Sequence, residues 1–332
     1  MTDEEIMSDE TNEMTEVLDE HLMVKDDEGR PVLQVALLAT VYFEDAYKRE
    51  VREAVVSCCE DYFRRCGHRL RWALHPEKRL MDPYGKGKGS YPRAWLLGFG
   101  EDDSFSLIYH GAVHDRGASA FYASALGLPR RPFVELGFFR MAFPLLWFAD
   151  SSESFPEVML EMCRKLKPVS GYGGIGVVES PDTSISSRYG QVVYRWSQRF
   201  AGLEADYPTS HSIWLLEGRD GKEGIKGVNW LTVLADRWVE EMGGLDKLES
   251  DLNALDPRFS IRRFAGGIMI QAGPRPQLGD AERNVWPELY VKLSKYLKPI
   301  RITRHRPFQY GGIGPRFDLE RSQAWLRRFD DR

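Results

Sequence analysis

The chain holds only four cysteines in 332 residues, and none stands in a Cys-x-x-Cys pair. A disulfide framework and a thiolate zinc site are thereby excluded, and Cys58, Cys59, Cys66 and Cys163 read as reduced, buried thiols on helical patterns. Long apolar runs are missing too. Val35 to Phe43 and Met141 to Ala149 end too soon or contain proline, so neither supplies the roughly 20 residues of a membrane span. The first thirty residues lack the basic, then apolar order of a signal peptide, which predicts a cytoplasmic protein. Chemistry-bearing motifs are also absent: no Gly-x-Ser-x-Gly, no His-Glu-x-x-His and no Walker loop. No catalytic residue is assigned, and neither cofactor nor metal is expected.

What is present is an ordinary globular composition, 42% hydrophobic and 12% aromatic. The net charge of −5 is unevenly placed. Residues 1–30 carry twelve acids against Lys25 and Arg30, leaving a mildly basic body. Residues 1–20 therefore read as a solvated acidic segment, or as one able to imitate nucleic acid toward a basic partner. From His21 the pattern becomes a hairpin, HLMVK and PVLQVALLATVYF around the turn DDEG. Asp45 to Cys66 follows as an amphipathic helix.

Short strands are predicted at Arg69–Leu74, Ala94–Gly98 and Ser104–His110. DPYGKGKGSYP between the first two is a surface loop, since each of its Gly-Lys pairs is followed by glycine and not by Ser or Thr. His110 and His114 have no helix to present them to one metal ion. Phe133 to Phe148 is strand-like, and ESPDTSISSRYG at 179–190 reads as a linker. Val228 to Gly244 shows a helical stripe at Leu231, Leu234, Ala235, Trp238 and Met242, closed by two glycines, with Asn229 as its cap. A second helix over Leu245–Leu255, strands at Phe259–Phe264 and Gly267–Gln271, and a closing helix in SQAWLRRFDDR complete the pattern.

One stretch occurs twice. FPEVMLEMCRKLKPVSGYGGIG, from Phe155 to Gly176, is echoed by WPELYVKLSKYLKPIRITRHRPFQYGGIG, from Trp286 to Gly314. Both copies place apolar residues at the same helical offsets, end the helix with Leu-Lys-Pro, and reach Tyr-Gly-Gly-Ile-Gly. This predicts an α/β fold in the mixed α+β sense, made of two related sheet-and-helix halves, 21–182 and 183–332, packed as one body. Tyr172 and Tyr310 open the two glycine segments, Gly173, Gly174 and Gly176 against Gly311, Gly312 and Gly314. With hydroxyls exposed, they are candidates for partner contact.

The order NWLTVLADRWVEEMGG, GGIMIQAGPRPQLGD, WPELYVKLSKYLKPIR resembles the type VI immunity family. Asn229, Trp230, Gly273, Gly279 and Asp280 belong to this signature. Trp230 and Trp238 are expected in the core, and Asp280 as a helix cap. The resemblance implies a cytoplasmic antitoxin that binds a type VI secretion effector, a nuclease of the VRR type, and keeps it from DNA. Such a protein touches neither membrane nor nucleic acid itself. Carboxylates of the leader, or Glu101, Asp102 and Asp103, would then occupy phosphate positions on the toxin. Two alternatives stay open: an adaptor with no toxin, and an uncharacterised enzyme assembled from scattered histidines such as His110, His114 and His211.

Overall fold

The computed structural model describes residues 22–132, 135–215, 223–309 and 312–332. Its organising element is strand β2, Pro31–Phe43, reached from β1, Met23–Lys25, through the expected hairpin. Alternating polar positions are nearly absent from PVLQVALLATVYF, as suits a strand covered on both faces. Almost all of it is buried. The other strands are β3 Trp72–Leu74, β4 Met81–Pro83, β5 Phe105–His110, β6 Tyr122–Gly127, β7 Gly137–Phe143, β8 Ser170–Glu179, β9 Leu231–Ala235, β10 Phe259–Phe264 and β11 Gly267–Ala272. They form one sheet in the order β10-β11-β9-β8-β2-β7-β6-β5-β3-β4, with β1 beside β2. Every ladder is antiparallel.

Helices lie on both faces of this sheet. On one, the helix Arg49–Cys66 packs beside Phe155–Leu166, and Cys58, Tyr62, Val158 and Met162 meet Phe139, Met141 and Phe143 of β7. All four cysteines are buried and free. Burial pushes the Cys58 and Cys66 thiols up to about 12, so neither is a thiolate at neutral pH. Helix Phe155–Leu166 starts at the capping box Ser154/Glu157 with Pro156 in its first turn, and stops at Lys167 in the left-handed region before Pro168. Strand alternation sends Thr40, Tyr42, Arg140, Tyr172 and Thr232 to the opposite face. That face is roofed by the C-terminal elements, among them helices Gly190–Arg199, Pro208–Trp214, Glu288–Tyr296 and Leu319–Leu326.

Several expectations meet a different outcome in the structure. Val228–Gly244 is not one helix: Leu231–Ala235 is β9, hydrogen-bonded between β8 and β11, and only Asp236–Glu241 is helical. Leu-Thr-Val-Leu suits a strand buried on both sides as well as a helix stripe, and two waiting ladders decide for the strand. Ala94–Gly98 is likewise no strand, because Pro92 opens a short helix Pro92–Leu96. The duplication is not confirmed by the described residues. The first copy runs from helix into the ten-residue strand β8, whereas after Glu288–Tyr296 the second continues as a single helical turn, Lys298–Ile300, and, among its described residues, non-strand segments. The 179–190 stretch also differs from a plain linker, since it holds the helix Thr183–Ser186 capped by Asp182.

Candidate functional site

The densest polar chemistry lies under the C-terminal roof. Leu203–Asp206 runs alongside β8, with Glu204 N–H donating to Ile175 O at 2.9 Å and Val177 N–H to Glu204 O at 3.1 Å. This lays two carboxylates against the sheet. Asp206 accepts from Thr40 Oγ1 at 2.8 Å and from the Tyr172 hydroxyl, and Arg140 Nε stands 2.9 Å from its Oδ2. Since Tyr172 donates to Asp206, the 2.9 Å contact between hydroxyls has Tyr42 donating to Tyr172. Asp206 is fully buried and Arg140 nearly so, with a second Arg140 bond to Val177 O at 2.8 Å.

Glu204 forms the neighbouring node. It pairs with buried Lys226 through one oxygen and accepts from Asn229 Nδ2 at 2.9 Å through the other. The Lys226 ammonium lies 4.2 Å from the Tyr172 ring centroid and 5.0 Å from that of Trp325. Asn229 Oδ1 in turn accepts from Trp230 N–H at 2.8 Å. Asn229 is therefore a buried bridge between the roof and β9 and caps no helix. Its carboxamide sits on Gly174, where a Cβ would stand 2.1 Å from Oδ1. That spacing leaves no room for a side chain at position 174.

Histidines complete the seam. Tyr207 N–H donates to His211 Nε2 at 3.3 Å, His211 and His305 meet at 3.0 Å, and His305 Nδ1 reaches Arg306 O at 2.6 Å. Only one tautomer pair fits: His305 donates to the carbonyl and accepts from His211, so both rings are neutral. Burial holds His305 down to about 4 and His211 well below its ordinary value. His110 is buried in β5 beside Asp115 O and also held to about 4, while His114 is exposed. Folding thus brings His211 to His305 and leaves the His110, His114, His211 constellation unformed. Among the described residues no group of His, Cys, Asp and Glu has the arrangement of a metal site.

One carboxyl in this region titrates near neutrality. Burial lifts Glu179 to about 7, opposed by the Tyr207 hydroxyl that donates to it at 2.9 Å and by Arg140. Its folded pKa exceeds the unfolded value, so its contribution to stability is full below about pH 4.5 and is lost as pH rises through 7. The histidines act in the opposite sense, and their contribution is lost as pH falls from 6.5 through 4. Glu179→Gln is accordingly expected to gain stability relative to wild type between pH 5 and pH 8, read from urea midpoints. Parallel pH curves for the two proteins would show that Glu179 ionises freely in the fold.

The positions singled out in the sequence fall in separate places. Tyr172 is the main correction: it is buried at 3% exposure, and its hydroxyl serves Asp206. Tyr310 and Gly311 lie outside the described residues, as do residues 1–20. Trp230 is buried with its indole N–H on Gly273 O at 2.9 Å. Gly279 has φ of 68°, and Asp280 caps a helical turn while pairing with Arg199 at 2.9 Å. Glu101, Asp102 and Asp103 form an exposed turn ahead of β5, with Glu101 on Arg130 at 2.9 Å. Gly173, Gly174 and Gly176 lie within β8, whereas Gly312 and Gly314 are exposed. Sequence reasoning missed Asp206, Glu204, Lys226 and Arg140. Only Arg140 carried a signal, as one charge inside the apolar run GFFRMAF.

Acids and bases thus neutralise one another beneath the roof. A small cavity between helix Arg49–Cys66 and β7 and a groove along Leu319–Leu326 are both lined by residues other than Asp206, Glu204, Lys226 and Arg140. The chain belongs to the TsiV family, type VI immunity for VRR-NUC, whose model matches residues 54–329. Immunity is its function, and this family is not a class of enzyme. The fold is similar to that of the Pseudomonas aeruginosa T6SS protein PA0821, with a TM-score of 0.82 and 24% identity over 93% of this chain and 87% of that one. No curated protein matches the sequence. Among the described residues no helix is long and apolar enough to cross a membrane.

Proposed function

We propose that this protein neutralises a VRR-type nuclease effector of type VI secretion in the cytoplasm, by covering its active or DNA-binding face. The observation that carries this reading is the family match from residue 54 to residue 329, which takes in β3 to β11 and the roof over them. Inhibition by covering needs no nucleophile. It needs a complementary area of roughly 1,600 Å² with a few buried anchors. A DNA-cutting partner presents basic surface to phosphates, and the acidic segment 1–20 together with Glu101, Asp102 and Asp103 supplies carboxylates of the matching sign.

Co-expression is the test. Cells carrying an active VRR-nuclease effector from the same genome are expected to survive only with this protein present, and the purified pair to form a stable complex. Removing residues 1–20 is expected to slow association and to flatten its dependence on salt. Failure of the full chain to bind such an effector, or turnover of a small molecule at enzymatic rates, would sink this reading.

A further inference from the structure

The two Gly-Gly-Ile-Gly segments have opposite fates. Ile175 lies within β8 at 8% exposure, while Ile313 stands in solvent at 90%, the most exposed large apolar side chain among the described residues. The backbone beneath Ile313 is held firmly. Arg316 Nη1 donates to Gly312 O at 3.0 Å and to Gly314 O at 3.4 Å, clamping the carbonyls on either side of the isoleucine. Both glycines have positive φ, 84° and 83°. A Cβ on Gly312 would stand 2.7 Å from Ser187 O, and one on Gly314 2.9 Å from Gln191 Oε1. The tip is thus pressed onto Ser187–Gln191 while its one apolar side chain faces water.

Cations stand on the segment it is pressed onto. Exposed Arg188 follows Ser187, exposed Arg195 lies one turn beyond Gln191 on the helix Gly190–Arg199, and Arg316 is the clamp itself. Neither Arg188 nor Arg195 forms an ion pair among the described residues. Of the acids on the adjoining segment, Asp318 is already bonded to Arg321, leaving Glu320. A fixed apolar anchor within a net basic collar fits an apolar slot edged by carboxylates.

The catalytic pocket of a metal-dependent nuclease is a region of that kind. The nuclease's DNA-binding surface must be basic, but the divalent ions that drive phosphodiester cleavage are held by carboxylates. Resting on the immunity reading above, we propose that Ile313 and the arginines around it enter the effector's metal-holding catalytic pocket. The isoleucine packs on the pocket wall and guanidinium groups meet the carboxylates in place of metal.

The test uses the full chain and a cleavage-inactive effector whose metal carboxylates are intact. Ile313→Asp leaves the thermal midpoint unchanged, because the side chain packs on little, and weakens binding about 30-fold or more. Ile313→Leu retains wild-type affinity. Saturating Mn²⁺ weakens the wild-type complex, because arginine and metal compete. Three results overturn the proposal: Ile313→Asp binding as tightly as wild type, indifference of the complex to Mn²⁺, or a variant whose only loss is self-association or DNA binding. If the wild-type chain does not bind the effector at all, the immunity reading fails before this one is reached.

Discussion

Asp206→Ala is expected to lower the unfolding free energy by about 3–5 kcal/mol, because it strands a buried charge. Arg140 keeps its bond to Val177 O but loses the carboxylate 2.9 Å from its Nε, in a place water does not reach. Thr40 and Tyr172 lose their acceptor in the same step, and the Tyr42 hydroxyl loses the orientation of its partner. Asp206→Asn should cost less, since its oxygen still accepts from Thr40 or Tyr172 while only the charge goes. The double variant Asp206→Ala with Arg140→Met removes both charges and is expected to recover part of the loss. Urea unfolding of the four proteins at pH 7 measures this. A cost below about 1 kcal/mol for Asp206→Ala would mean that Arg140 finds another partner.

Gly174→Ala carries the second large effect, about 3 kcal/mol, for a steric reason. Its Cβ would lie 2.1 Å from Asn229 Oδ1, so the carboxamide has to leave. With it go the bonds to Glu204 at 2.9 Å and to Trp230 N–H at 2.8 Å, in a region where unmade polar contacts cost about 1–3 kcal/mol each. Overpacking adds a similar amount. The prediction is specific to the pair: once Asn229→Ala has cleared the space, Gly174→Ala should cost little more. A double-mutant cycle by chemical denaturation reads that coupling directly, and additive costs would place the strain elsewhere.

Much of the fold is legible from local pattern. The hairpin into β2 has its turn residues and a continuous apolar run; helices Arg49–Cys66, Phe155–Leu166 and Leu245–Leu255 have periodicity and stop signals; β10 and β11 alternate around Ala265-Gly266. The family signature, read from Val228 to Gly314, falls inside the matched range. The polar seam was not legible. Asp206, Glu204 and Lys226 lie in loops where charge is ordinary, and nothing in a linear reading tells a solvated loop from one folded down onto a sheet.

Composition and periodicity sufficed by themselves to determine a mixed α/β protein with free buried cysteines, since these properties depend on residue type and near neighbours, whereas the immunity role came only from the resemblance of its ordered signature to a known family. Tertiary structure alone decided that Leu231–Ala235 is a strand, that Tyr172 is interior, and that Ile175 is buried in the sheet while Ile313 meets solvent. The reason is physical: short apolar or glycine-rich stretches satisfy several backbone conformations at similar cost. Which one wins depends on hydrogen-bonding edges and packing partners brought in from far along the chain.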